Sequence, residues 1–172
     1  MEILTNLSEL EQKRKTLLDY YRTKQPFRVS IGKSWINYEQ FNPEYNLREI
    51  LNDEIVIEFD NEDKNLTWSA IDLTAVNLYK DNISFKIWDH GGKSPHLHIH
   101  DLPIKNLDNN KRSLFKKLFI RKYVPIEYIK WVDISLTGIH LIAIEWQNHW
   151  KGCYGVKELL HEFNPLEVKN GT

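Results

Sequence analysis

The chain lacks most of what would mark a secreted, membrane-embedded or broadly basic protein. Only one of its 172 residues is a cysteine, Cys153. That excludes an intramolecular disulfide framework and any zinc site built from several cysteines, and it suits a reducing compartment. No apolar run approaches the roughly 18 residues of a membrane span, and the start Met1-Glu2-Ile3-Leu4-Thr5-Asn6 is unlike a secretory signal. A cytoplasmic protein with no membrane partner is expected. The net charge of −1 excludes a global basic field, so a polyanionic partner would have to meet a local patch. Repeats, linkers and low-complexity segments are also missing. With 41% hydrophobic and 27% charged residues, the chain reads as a single folded domain over residues 1–172.

Periodicity and punctuation give an α+β class, with a central antiparallel-rich mixed sheet flanked by helices. Ser8 and Glu11 form a capping box that opens a helix over 8–23. Residues 27–41 read as irregular strands, and 46–52 as a short helix. Ile55 to Asp60 is a strand ending in carboxylates, followed by a helix from Asn61-Glu62-Asp63 to about Lys80. Residues 83–88 and the strand from His96 form a hairpin. A helix over 111–122 carries an apolar stripe of Leu114, Phe115, Leu118 and Phe119. Two strands, 128–133 and 140–146, and a closing helix over 155–163 complete the reading.

Chemistry concentrates in His90-Gly91-Gly92-Lys93-Ser94-Pro95-His96-Leu97-His98-Ile99-His100. Strand alternation puts His96, His98 and His100 on one face and sends Leu97 and Ile99 into a core. The Gly-Gly turn can aim successive N–H groups inward, and Lys93 adds a positive charge, so the segment is suited to an anion such as phosphate. Glu58 and Asp60 share a strand face, roughly 7 Å apart. Such paired carboxylates are stabilised by a divalent ion, and Mg²⁺ favours one or two carboxylates together with substrate phosphates. Asp133 ends another apolar stretch as a third acid. The 111–122 helix bears Lys111, Arg112, Lys116, Lys117, Arg121 and Lys122 with no acid among them, a stripe suited to phosphate backbones or to solvent alone.

The order of these pieces resembles the small catalytic subunit of archaeo-eukaryotic primases. Leu17-Leu18-Asp19-Tyr20-Tyr21, Gly32-Lys33-Ser34-Trp35-Ile36, Glu58-Phe59-Asp60, Gly92-Lys93-Ser94-Pro95-His96 and Val132-Asp133 with Leu136-Thr137 carry the resemblance over most of the chain. Leu141-Ile142-Ala143-Ile144-Glu145-Trp146-Gln147-Asn148-His149-Trp150-Lys151 follows in the position of that family's nucleotide-gripping segment. It keeps His149 and Lys151, but Ala143 stands where the family has arginine and Glu145 where it has proline. The first acid is Glu58 where aspartate is usual, and a zinc-binding cysteine cluster is missing.

The resemblance implies a minimal primase–polymerase core from an archaeal, viral or plasmid replication system. Glu58, Asp60 and Asp133 would be catalytic and hold Mg²⁺ or Mn²⁺. Lys93, Ser94, His96, His149 and Lys151 would grip a nucleoside triphosphate. Lys116, Lys117, Arg121 and Lys122 would meet a single-stranded DNA template, with an accessory primase subunit or helicase as a further partner.

Two other readings compete. His96-Leu97-His98-Ile99-His100 also resembles the signature of histidine-triad nucleotide hydrolases and transferases, in which His98 would be the nucleophile. The chain could alternatively be a non-catalytic nucleic-acid-binding subunit. A zinc site on the three histidines is chemically possible, but sequence offers no obvious fourth ligand.

Overall fold

A computed structural model of the chain describes residues 2–24, 28–31, 34–37, 47–89, 91, 92, 94–148 and 155–168. The α+β class is observed, but the strands form two four-stranded antiparallel sheets instead of one central sheet. Helix α1 (Glu2–Lys24) begins well before Ser8, so Ser8 lies inside the helix and is not its cap. Strands β1 (Arg28–Ile31), β2 (Ser34–Asn37) and β3 (Leu47–Glu49) follow. The segment expected as a short helix at 46–52 thus supplies a strand instead, because β3 pairs with a neighbour on each side. With β7 (Leu141–Ala143) these strands make the first sheet, in the order β2-β1-β3-β7.

The second sheet is built from β4 (Ile55–Ile57), β5 (Phe85–Asp89), β6 (His96–Ile99) and β8 (Glu158–Phe163), in the order β4-β6-β5-β8. The β5–β6 hairpin is as expected. β8 replaces the expected closing helix. Glu and Leu are good helix formers, but β5 has a free edge that takes this segment as a ladder partner, and tertiary pairing overrides local propensity. The expected strand at 128–133 is a 3₁₀ turn (Ile129–Trp131) followed by extended Val132, with a second 3₁₀ turn at Ile134–Thr137.

Helix α2 (Lys64–Lys80) is opened by Asp63, whose carboxylate accepts from the N–H groups of Asn65 and Leu66. Asp108 caps α3 (Asn109–Tyr123) in the same way through Lys111 N–H. A short α4 (Pro165–Val168) lies near the C-terminus. One face of the second sheet, with Ile55, Ile57, Leu97, Ile99, Phe85 and Ile87, shares a core with Ala70, Ile71 and Leu78 of α2 and Phe119, Ile120 and Tyr123 of α3. The buried stripe of α3 is therefore set by Lys116, Phe119, Ile120 and Tyr123. Leu114 and Leu118, part of the apolar stripe read from sequence, are 58% and 55% exposed.

The other face of the second sheet is also covered. Val56 packs with Ile50, Ile142 and Leu136, and beside it runs a band of buried charge. Arg48 of β3 gives two hydrogen bonds to Glu54, at 2.9 and 2.8 Å, and two to Glu145, at 3.0 and 2.7 Å, with all three side chains fully buried. Lys157 joins them, donating to Ala143 O at 3.0 Å and standing 3.5 Å from Glu145 Oε1.

Removing one partner of a buried ion pair strands the others, at a cost of about 3–5 kcal/mol. Arg48→Ala is expected to lower unfolding free energy by about that amount in urea melts. A loss under 1 kcal/mol would show that the cluster does not hold the two sheets together.

Candidate active site

Strand β4 runs out at Ile57, but the chain stays extended and Phe59 forms an isolated antiparallel bridge with Val132. Two backbone hydrogen bonds fasten it: Asp60 N–H donates to Trp131 O at 2.7 Å, and Asp133 N–H to Glu58 O at 3.0 Å. Phe59 and Val132 both enter the core shared with α2 and α3. By strand alternation Glu58 and Asp133 then stand as cross-strand neighbours on the opposite side, with Asp60 two residues along the same face. A pairing between distant segments thus makes Glu58 and Asp133 cross-strand neighbours, with Asp60 on the same side of its strand. Asp133 also caps the second 3₁₀ turn, accepting from Ser135 N–H at 3.0 Å.

His96 lies beside them. It is buried, and its Nε2 stands 3.4 Å from Glu58 Oε2. Ser94 is buried as well. Its hydroxyl accepts from Phe59 N–H at 3.3 Å and donates to Pro95 O at 2.9 Å, so it fastens the glycine loop to the acid-bearing strand instead of facing a ligand. Gly91 has φ +74°, a left-handed conformation that costs glycine little. Its N–H is held by Asp89 Oδ1 and its carbonyl by Lys64 Nζ at the start of α2. Lys93, His149 and Lys151 lie outside the described residues.

The other two histidines are not an open cradle. The alternation is as expected, but both faces of β6 are covered. His98 is fully buried, with Nδ1 3.0 Å from Glu54 Oε1 and 3.4 Å from Glu145 Oε1, and Nε2 3.3 Å from Lys157 Nζ. Burial first, then the Lys157 charge, lowers its pKa to about 3 against the pull of Glu54 and Glu145, so the imidazole is neutral. His100 is pushed down too, chiefly by burial. Burial would raise the carboxyls of Glu54 and Glu145, but Arg48 holds both well below the usual range. Glu54, His98 and His100 place one ligand atom each within 4.8 Å of one another, a group that could hold a metal ion. Among the described residues no other set of three meets that spacing, and Glu58, Asp60 and Asp133 do not.

The basic helix divides. Lys117 and Arg121 are exposed, one helical turn apart on the same face. Lys122 is exposed but paired with Asp81 at 2.8 Å and with the Tyr123 hydroxyl at 2.7 Å. Lys116 is not on that surface. It is 2% exposed, its Nζ is 3.5 Å from Leu51 O, and burial pushes its pKa down to about 8. The face of α3 that packs inward begins at this residue, which sequence assigned to the outer stripe.

No helix among the described residues is long and apolar enough to cross a membrane. No protein-family model, curated protein or solved structure matches the chain at a significant level.

Lys116 has a consequence for stability. Its folded pKa is depressed to about 8 from an ordinary 10.5, so between those values the unfolded chain binds the extra proton and unfolding free energy rises with pH. Lys116→Met is expected to stabilise the protein at pH 7 by about 1–3 kcal/mol, with the gain shrinking as pH climbs through that window. A gain independent of pH would mean that the amine is not desolvated.

Proposed function

We propose that this chain is a nucleotidyltransferase of the primase–polymerase type, using nucleoside triphosphates on a single-stranded DNA template. The observation that supports it is the Phe59–Val132 bridge, across which Glu58 and Asp133 are neighbours, with His96 Nε2 3.4 Å from Glu58 Oε2. The resemblance read from Glu58-Phe59-Asp60, His96 and Asp133 in that order supports the same reading.

The donor set suits a hard cation. Three carboxylates, with Glu58 34% exposed at its side chain and Asp60 exposed, leave room for water and phosphate oxygens, which Mg²⁺ and Mn²⁺ keep in their coordination shells. These acids do not need to converge as a closed cage, because the substrate completes the site. When bound, such an ion neutralises charge on the attacking and leaving oxygens. In the reaction a 3′-hydroxyl oxygen bonds to the α-phosphorus, the bond to pyrophosphate breaks, and the hydroxyl proton passes to water. The protein's part is positioning: the paired backbones hold Glu58 and Asp133, and His96 orients Glu58 from its buried side.

Lys117 and Arg121 supply a sequence-independent grip on the template. Their helix packs on the 3₁₀ turn that follows Asp133, where the Ser113 hydroxyl is 3.4 Å from that of Thr137. An accessory subunit or helicase remains a proposed partner. The histidine-triad reading is disfavoured because His98 is fully buried among Glu54, Glu145 and Lys157.

Primer extension with Mn²⁺ tests this reading. Asp60→Asn and Asp133→Asn are each expected to cut incorporation by at least about a thousandfold with an unchanged circular dichroism spectrum, since charge placed for the transition state is the main catalytic resource here. Full incorporation by either variant would end the polymerase reading. Intact template binding with no incorporation by the native chain would favour the non-catalytic subunit.

Binding of single-stranded DNA supplies a separate check. Lys117→Gln with Arg121→Gln should flatten the salt dependence by a slope of roughly 0.7 per lost contact, while Lys116→Gln should leave it unchanged. An unaltered slope in the double variant would remove α3 from the template path.

A further inference from the structure

The buried end of the histidine strand holds a chemistry that the proposed reaction does not use. Glu54 Oε1 lies 3.0 Å from His98 Nδ1 and 3.8 Å from His100 Nδ1. Two ligands of a tetrahedral ion with bonds of about 2.0–2.1 Å sit roughly 3.3 Å apart, so these separations bracket what a bound ion requires. Neither nitrogen of His100 has a hydrogen-bond partner, and His98 Nδ1, though close to the carboxylate, is outside hydrogen-bonding geometry. Buried polar atoms without partners are uncommon and costly. Here three of them belong to two side chains that face the same oxygen.

The carboxylate is prepared for such a role. Glu54 accepts Arg48 on both oxygens and Leu51 N–H on Oε2, which occupies three of its about four lone-pair sites and leaves one on Oε1, the oxygen nearest the imidazoles. Arg48 and the Leu51 amide thus orient Glu54 as outer partners orient a ligand. Glu145 Oε1, 3.4 Å from His98 Nδ1, brings a second negative charge to the same space. A cavity of about 420 Å³ lined by His100, Tyr21, Lys86 and Glu162 gives an entry route from the end of the sheet opposite the acids.

We propose that Glu54 Oε1, His98 Nδ1 and His100 Nδ1 bind a single divalent cation of the zinc class, at a site separate from Glu58, Asp60 and Asp133. Two imidazoles and one carboxylate suit Zn²⁺, Co²⁺ or Ni²⁺, whereas Mg²⁺ and Mn²⁺ prefer oxygen. The buried cations Arg48 and Lys157 keep the affinity moderate. The ion ties the chain before β4 to the end of β6 and has no part in phosphoryl chemistry, so this inference stands or falls independently of the polymerase reading.

Titration of the chelator-treated full chain with Co²⁺ alone tests it. One equivalent is expected to give the intense visible absorption of a tetrahedral site, displaced by Zn²⁺ and unaffected by millimolar Mg²⁺. His100→Gln, at the least enclosed of the three ligands, should weaken binding about tenfold or more, while the exposed control His161→Gln and the double variant Asp60→Asn, Asp133→Asn should bind as the parent does. Absence of a one-equivalent Co²⁺ signal, displacement by Mg²⁺, or equal binding by His100→Gln would each overturn the proposal. Should His100→Gln fail to fold, loss of the Co²⁺ signal in Glu54→Gln, judged by circular dichroism at equal folded fraction, decides the matter in the same sense.

Discussion

The guanidinium of Arg48 is the fixed point of this molecule. It lies on a strand of the first sheet and is fully buried. Four of its N–H donors are directed at carboxylates that precede one strand of the second sheet and follow one of the first, and a fifth goes to the Glu49 carbonyl. A planar, bidentate donor is what such a site requires, because a lysine ammonium could not serve two carboxylates in a plane. Tyr21 of α1 closes the group, its ring 4.2 Å from the guanidinium carbon. A polar joint in a dry interior is costly to form and more costly to break, so it specifies one arrangement of the two sheets where apolar packing alone would tolerate several.

The candidate site depends on this joint indirectly. Glu54 leads directly into β4, and the extended chain just beyond β4 carries Glu58 and Asp60, so this segment is pinned at its start by Arg48 and past its end by the bridge to Val132. Between those pins Ile55 and Ile57 fill the helix-side core while Val56 fills the other. Glu58 and Asp60 therefore stand on a backbone held at both ends, which is what the proposed reaction would ask of its acids.

Much of this was legible in the chain itself. The helix that follows Asn61-Glu62-Asp63, the β5–β6 hairpin and the alternation of the histidines all follow from local pattern, whereas the pairing that sets Glu58 across from Asp133 joins segments more than 70 residues apart. The burial of His98 and His100 does not, since alternation says which residues share a face and not what covers it. Arg48, Glu54, Glu145 and Lys157 were missed because each is a lone charge whose partners lie far along the chain. One signal was present: Glu54 directly abuts Ile55-Val56-Ile57, and Glu145 directly follows Ile142-Ala143-Ile144, so each charge touches an apolar run bound for the core. Lys116 was misassigned for the converse reason, as a charge counted with its basic neighbours although its helical position matches Phe119, Ile120 and Tyr123.

The strand orders have a consequence for how the chain comes together. The first sheet takes β1, β2 and β3 from the N-terminal part and is completed only by β7, and the second takes β4, β5 and β6 and is completed only by β8. Neither edge closes, and Arg48 does not meet Glu145, until residues 141–163 are available. A ribosome-bound chain lacking them would hold two unfinished sheets and a buried-type arginine half paired, so the last segment to emerge completes both sheets at once.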